Sequence, residues 1–581
     1  MQWVNHVLQV RHSHLETAMI RTSIKFFLTA GLLALAWPGG AAQAATFVVT
    51  HFDDPAPTGC LRSCSLREAV MAANSQPGSH VIVLKAGTYQ LTRVGPTNNP
   101  QASGPLSIRG AVTIVGAGMD KTRIRWNAKA THAHPVFRLE NSHRPAIGLA
   151  LEQLSVSHGR GQFGGCLESQ ATSSRRYHVL LTDTRFSLCQ SSSGGAMRLH
   201  ATDLTAIRSV FEKNHASNSG GALFGMGPIN IQTTDTVWRE NSAGANGGAA
   251  AFFGAGNIGW ISQINWLDLG AGRIENNSAG DHGGGIAFSG SGELLLSSAA
   301  FVATGNRLAI TGNSARRGGG LDLDLGILPG NQHLDRIRRV RISDNAAESG
   351  GGLASARALS LTDGQINGNT ATQGSGGGIL LHGNVNWQSG RTLERLSLFK
   401  NLASVGGGGG MLSTCALVHS SDLSLTENMA ASGAGQGLQV AGLAALRHLS
   451  VAQNGAGGPG LALIPDPECD FTGIGLVNSI VTDPCADAGG FQFTSGGGNV
   501  LSDTALGCPN QVDDMTNVPR SALGLQFASW NGSFPVLGWQ LSHPPRPQQG
   551  FGLSQHCSEA DVRGWQRPPS SCDAGAFQAM D

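Results

Sequence analysis

One frame recurs from about residue 159 to residue 460 and leaves few folds open. An apolar residue is followed three positions on by Asn, then by a small residue, two or three glycines and another apolar residue. The copies are Phe211/Asn214/Gly220-Gly221/Ala222, Trp238/Asn241/Gly247-Gly248/Ala249, Ile274/Asn277/Gly283 to Gly285/Ile286 and Ile310/Asn313/Gly318 to Gly320/Leu321. They continue as Ile342/Asn345/Leu353, Ile366/Asn369/Ile379, Leu398/Asn401/Met411, Leu425/Asn428/Leu438 and Val451/Asn454/Leu461. Steps between successive Asn residues are 27, 36, 36, 32, 24, 32, 27 and 26. Two earlier units fit loosely: Phe186 leads to Cys189 in the Asn slot, and Val156 leads to Gly159.

A fixed frame with variable spacing is the mark of stacked repeats whose insertions leave as loops. The unit is too short and too poor in helix formers for a helix pair. Before the Asn, residues alternate, as in Leu308-x-Ile310, Val340-x-Ile342 and Leu396-x-Leu398, which puts the apolar side chains on one face of a strand. Asn and Gly then mark a bend, since both tolerate left-handed backbone angles. Short strands separated by such bends predict an all-β parallel β-helix, with coils about 4.8 Å apart. Asn at one place in every coil predicts a column of bonded carboxamides: Asn214, Asn241, Asn277, Asn313, Asn345, Asn369, Asn401, Asn428 and Asn454.

Composition bounds the function. Charged residues are 13% and hydrophobic residues 40% of the 581, which argues against disorder. A net charge of +1 supplies no pull toward nucleic acid or anionic membrane. Arg21 and Lys25 precede an apolar run from Phe26 to Trp37, and Ala42-Gln43-Ala44 offers small residues for cleavage. This pattern predicts an export signal over 1–44, with Met19 as an alternative start. No later stretch approaches the length of a transmembrane helix. Ten cysteines follow the cleavage site, an even count that in an exported chain reads as disulfides. Proximity suggests Cys60–Cys64, Cys166–Cys189, Cys415–Cys469, Cys485–Cys508 and Cys557–Cys572. Zinc at Cys60-x-x-x-Cys64 is the rival reading, but no second pair or His lies at ligand spacing. No metal and no cofactor is expected.

Strands are expected at 46–50, 81–84, 88–91, 106–108 and 112–115. Between the first two, Ser65 and Glu68 form a capping box ahead of a helix whose Leu66, Ala69, Val70 and Ala73 share one face. A helix there would cover the open end of the first coil. Cys64-Ser65-Leu66-Arg67-Glu68-Ala69, Gly87-Thr88-Tyr89 and Thr113 to Gly118 resemble the start of the CSLREA-domain secreted proteins of bacteria. Asn478-Ser479-Ile480, Gly498 to Asp503, Leu523-Gly524-Leu525 and the stretch from Asp561 to Phe577 resemble their choice-of-anchor Q region. One departure is that Leu541 is followed by Ser542-His543-Pro544-Pro545, without the family's usual Asp. The resemblance implies a right-handed parallel β-helix, export and surface residence, and no settled activity. The resulting organisation is 45–130 as capping coils, 131–475 as β-helix repeats and 476–581 as a disulfide-braced C-terminal region.

Chemistry has four candidate places. Asp322, Asp324 and Asp335 stand near Arg336, Arg338, Arg339 and Arg341; alternation of Asp322 and Asp324 with leucines, and of Arg339 and Arg341 with Val340 and Ile342, predicts a solvated outer face with charges that pair between coils. Trp260 and Trp266 lie in a longer insertion and are expected to pack in the core or a loop, as is Trp238. His282 has no partner at ligand spacing and is expected to be a surface residue. Asp561, Arg563, Arg567 and Asp573, between Cys557 and Cys572, read as a cross-braced cap. The leading functional expectation is a non-enzymatic exported or cell-surface protein that binds polysaccharide or surface glycans. The alternative is a polysaccharide lyase or hydrolase with its site on the outer face; fold alone does not decide between them. No C-terminal stretch reads as a membrane barrel.

Overall fold

A computed structural model describes residues 44–579, apart from 96–100, 128–132, 141–147, 170–175, 254–263, 298–307, 326–333, 384–389, 539–545 and a few stretches of one to three residues. The expected export signal and Trp260 lie outside the described residues, and so do the side chains of Trp266 and Asp324. Among the described residues, no helix is long and apolar enough to cross a membrane.

The chain is a right-handed parallel β-helix. The coil at 359–381 shows how the repeat builds it. Leu359–Asn367 is one strand, bent at Asp363, whose φ is 57°. Gly368 (φ 65°) turns the chain, Asn369 follows, and Thr370–Ala371 forms the short second side. Gly376 (φ 70°) turns it again, and Ile379–Leu381 forms the third side. In the next coil Arg391–Phe399, Leu402–Ala403 and Met411–Thr414 repeat the plan. Ile366 pairs with Leu398, Thr370 with Leu402 and Ile379 with Met411, all in parallel. These pairings continue into a 27-stranded sheet that holds both arms of the bent side, a 14-stranded sheet and a 9-stranded sheet. In the 27-stranded sheet Arg123 pairs with Ser155 and Ala445 with Gly475, so one sheet holds strands on both sides of 128–132 and includes residue 475.

The core is a set of columns. Phe186, Phe211, Trp238, Ile274, Ile310, Ile342, Ile366, Leu398, Leu425 and Val451 are all buried. Within this column the Phe211 and Trp238 rings stack at 4.0 Å. Beside it the Asn side chains are knitted. Nδ2 of Asn345 donates to Oδ1 of Asn369 (3.0 Å), and Nδ2 of Asn369 to Oδ1 of Asn401 (3.0 Å). The same bond joins each neighbouring pair from Asn214 to Asn454. The last acceptor is Asp483 Oδ2, 2.8 Å from Asn454 Nδ2. Each Nδ2 also reaches a backbone carbonyl of the preceding coil, as Asn369 does at Ile342 (2.9 Å).

Two details of the expected bend are corrected. The left-handed residue is the one before the Asn, as at Lys213, Glu240, Asp344, Lys400, Glu427 and Gln453, not the Asn. The Asn is needed for its amide, while its predecessor carries the strained angle at about 1–3 kcal/mol. The last position of the frame also shifts by one in the first two copies. Leu223 pairs with Ala250 and Ala250 with Ile286, so Ala222 and Ala249 occupy the slot of the third glycine, Gly285.

The glycines divide their work. The first of each group takes the positive φ. A Cβ on the second would meet the next coil's backbone, as Gly351 would meet Gly377 O at 2.4 Å. At the third it would press on the carboxamides; from Gly352 it would lie 3.0 Å from Asn369 Cγ. At Gly285 the Asn is farther off, 3.5 Å from such a Cβ, and alanine fits the equivalent slot.

The ends are covered. Helix α1, Leu66–Ser75, carries the capping box: Ser65 Oγ accepts from Glu68 N (3.2 Å), and Glu68 accepts from Ser65 N (2.8 Å). Burial favours the neutral Glu68 carboxyl, but N–H bonds from Ser65, Thr58 and Gly59 outweigh it and hold its pKa below the usual value. Arg67, almost fully buried, pairs with Asp54 at 2.7 Å. Leu66, Ala69, Val70 and Ala73 enter the core. The other end follows the last sheet strand, Met515–Val518. It holds an antiparallel hairpin, Gln526–Trp530 with Phe534–Gly538, beside the strands Arg391–Phe399 and Val418–Thr426. A strap then runs over 546–579. Disulfides join Cys60–Cys64, Cys166–Cys189, Cys415–Cys469, Cys485–Cys508 and Cys557–Cys572.

Candidate functional site

The bent side of the coil has an outward face that changes along the solenoid. Alternation sends Leu393, Ser420, Leu446 and Leu476 inward and their neighbours outward. Strand register then stacks the outward residues in two columns. Thr392, His419, Ala445, Gly475 and Thr494 form one; Glu394, Ser421, Arg447 and Val477 form the other. Ala445 and Gly475 leave a hollow between longer side chains. These columns floor a groove of about 390 Å³, and His556 of the strap completes its lining.

Three left-handed corner residues in successive coils, Asp422, His448 and Asn478, hold the strap in place. Arg567 Nη2 donates to Asp422 Oδ1 (2.9 Å), and Ser558 Oγ donates to the same oxygen (2.9 Å). The Ser558 N–H donates to His448 Nε2 (3.3 Å). Asn478 Nδ2 donates to Leu553 O (3.1 Å), and its Oδ1 accepts from Leu553 N (2.7 Å). Gly575 N donates to Asn478 O (2.7 Å) and Ala576 N to Ser450 Oγ (2.8 Å). Asp422 and Arg567 are 145 residues apart in sequence and both buried. Burial pushes the Asp422 carboxyl up to about 6, against the opposing pull of Arg567 and Ser558. Burial also holds the His448 imidazole well below its ordinary value, with Arg567 adding to the effect. One coil earlier in the same corner column, Arg395 is tied to Asp363 at 2.6 Å and lies 3.4 Å from Glu394.

The structure redistributes the charges singled out in the sequence. Asp322 is not solvated: it is fully buried, accepting from Arg317 Nε (2.8 Å), with His282 Nδ1 3.1 Å away. His282 thus has a partner, 40 residues on in sequence, and its side chain is partly exposed. Asp335 is also buried, paired with Arg357 (2.6 Å) rather than with its sequence neighbours. Asp322 and Asp335 are separated because each belongs to a different side of the coil. Asp561 pairs with Arg563 inside the strap, and Asp573 accepts from the N–H groups of Gly550 and Ala579 (2.7 Å each). Arg567 finds its carboxylate in the solenoid. Cys415, Cys469 and Asp466 form a cluster of ligand type, but the two sulfurs are bonded at 2.08 Å and supply no thiolate to a metal. Sequence reasoning missed the groove; the alternation 392–394, 419–421 and 445–447 was its only sequence signal.

Fold and groove together define a parallel β-helix protein with an open cleft on its bent side. No protein-family profile matches the chain, and no curated protein does. Solved structures with a similar strand architecture include the A-module of the mannuronan C-5 epimerase AlgE6 of Azotobacter vinelandii, at 12% identity and a TM-score of 0.28, covering 77% of this chain and 95% of that one. The catalytic unit of an alpha-1,3-glucanase from Streptomyces thermodiastaticus matches at 15% identity and 0.29, over 86% and 72%. A tailspike protein of the E. coli bacteriophage HK620 matches at 13% and 0.32, over 75% and 74%. At these values the likeness says nothing about what this chain binds.

Proposed function

We propose that this chain is an exported, extracellular or surface-borne member of the CSLREA-type β-helix proteins that binds a glycan in the groove without cleaving it. The observation that carries the reading is the groove floor, where Thr392, His419 and Ser421 at one end and Thr494 at the other flank the small Ala445 and Gly475. Hydrogen-bonding side chains spread over stacked coils, with apolar surface between them, suit a hydroxyl-rich polymer whose ring faces are apolar. Five disulfides support an oxidising compartment. Helix α1, whose cap and first turns are formed by Ser65 to Ala69, supports the family reading. Two-carboxylate hydrolysis needs a pair of acids about 5–9.5 Å apart, and Glu394 is the one carboxylate among the described lining residues.

The test is a polysaccharide panel, with and without calcium, read by affinity electrophoresis and by chromatography of the polymer. The expected result is retardation by one polymer with its length unchanged. Shortened or unsaturated products would establish the lyase or hydrolase alternative, and absence of retardation by every polymer would sink the reading.

A further inference from the structure

Charge in the groove is unevenly matched, and the mismatch has a direction. Glu394 lies at one end of its column, 3.4 Å from the Arg395 guanidinium. Arg447 lies two strands further on, separated from Glu394 by Ser421. Two strand spacings amount to roughly 10 Å. Arg447 is exposed, and its side chain makes no ion pair or hydrogen bond among the described residues. The nearest acidic residue of the corner column, Asp422, is spent on Arg567 beneath the strap. His419 and His556 flank the same cavity, both able to donate to an anion. Ala445 and Gly475, small and without polar side-chain atoms, leave the space beside Arg447 open.

We infer that the groove takes an anionic glycan, with a carboxylate or sulfate of the polymer seated on Arg447 between His419 and His556. A guanidinium in an open cleft, with imidazoles beside it, is an arrangement that recognises a planar or tetrahedral oxyanion through a forked pair of hydrogen bonds. Glu394 at the far end, with Ser421 and Thr392, accepts from or donates to hydroxyls of the adjacent sugar. The inference rests on the glycan-binding reading and adds the chemical class of its ligand. It also assigns the strap a part in recognition. His556 sits next to Cys557, whose disulfide to Cys572 and whose neighbour Ser558 at Asp422 fix it over the groove.

The experiment uses the mature disulfide-bonded protein and calorimetric titration. A polyuronate is compared with the same polymer after chemical reduction of its carboxyls, with a sulfated polysaccharide and with single-stranded DNA. The expected result is binding of the polyuronate or the sulfated polymer at least tenfold tighter than of the reduced polymer, weakening with added salt. Arg447→Gln should lose at least tenfold for the anionic polymer and Arg447→Lys less, with unchanged thermal melting. Carboxylate and sulfate are told apart by which of the two polymers depends on Arg447. Equal binding of the carboxyl-reduced polymer would overturn the inference and leave the glycan reading standing. Equal binding of DNA, or no effect of Arg447→Gln, would overturn it too. Binding of none of the polymers would remove the glycan reading itself.

Discussion

Replacing Asn369 by Leu probes the carboxamide column at its middle. Asn369 Oδ1 accepts from the Asn345 backbone N–H (3.1 Å) and from Asn345 Nδ2 (3.0 Å). Its Nδ2 donates to Ile342 O (2.9 Å) and Asn401 Oδ1 (3.0 Å). Leucine keeps the branched outline, with somewhat larger methyl groups, and removes all four bonds. Asn345 Nδ2 retains Ile310 O, and Asn401 Oδ1 retains the backbone N–H of residue 369. The Asn345 N–H is left buried with no partner, at about 1–3 kcal/mol, and the lost bonds of Ile342 and the two amides add about 0.5–1.5 kcal/mol each. Recovered apolar burial offsets part of this, so the expected cost is about 2–5 kcal/mol. The control is Gln373→Leu: Gln373 is exposed, its N–H bond to Glu348 O survives, and a change within about 0.5 kcal/mol is expected. Stacked coils interact mainly with neighbours, so the assay is hydrogen exchange by mass spectrometry. Exchange should accelerate in the coils of Asn345, Asn369 and Asn401 while α1 keeps its protection. Equal tolerance of both substitutions, or a uniform loss of protection along the chain, would refute the reasoning.

Gly351→Ala should disrupt coil stacking, because its Cβ would meet Gly377 O at 2.4 Å, whereas Gly95→Ala meets nothing within 4 Å; thermal melts of the two variants check this. Asp322→Ala removes the carboxylate shared by Arg317 and His282 and should cost about 1–3 kcal/mol, measured by chemical denaturation; a cost below 0.5 kcal/mol would restore a solvated Asp322. The folded state holds the Asp422 proton more tightly than the unfolded chain, so its contribution is complete below 3.8 and is lost as pH rises through about 6. Asp422→Asn should therefore gain stability relative to the wild type between those values and level off above. Burial shifts His448 the other way, so its contribution is lost as pH falls below the ordinary imidazole range, but it is common to both proteins and cancels in their difference. A flat difference in melting temperature from pH 4 to 8 would refute the assignment.

The repeat was legible because its residue types are imposed by contacts between adjacent coils. Asn369 and Gly351 each answer to the residue one coil away, so every coil repeats the same choice and the spacing shows it. Helix α1 was legible because its capping bonds join residues three apart. The site was not legible for the opposite reason. Asp422 meets Arg567, and His448 meets Ser558, across more than a hundred residues, with nothing local to mark either pair. Asp322 shows a further failure: alternation with Leu321 and Leu323 did place it on the outer face, but outer does not mean solvated when His282 and Arg317 of the neighbouring corner close over it.

The bonds from Asn214 to Asn454 all run in one sense, which makes the column a polar wire. Each carboxamide turns its N–H side toward the C-terminal end, and aligned amide dipoles add as they do in a helix. Asp483 stands at the electropositive end of that wire, receiving both the side chain and the backbone N–H of Asn454. At the opposite end, Asn214 Oδ1 accepts from the backbone N–H of Cys189, a residue with no amide to align. An Asn at 483 would present another donor and demand an acceptor in yet another coil, whereas a carboxylate only accepts. The number of aligned rungs is thus set by two residues, a cysteine that starts the wire and an aspartate that terminates it. Moving that aspartate one coil earlier or later would be the way to make the wire shorter or longer by one rung.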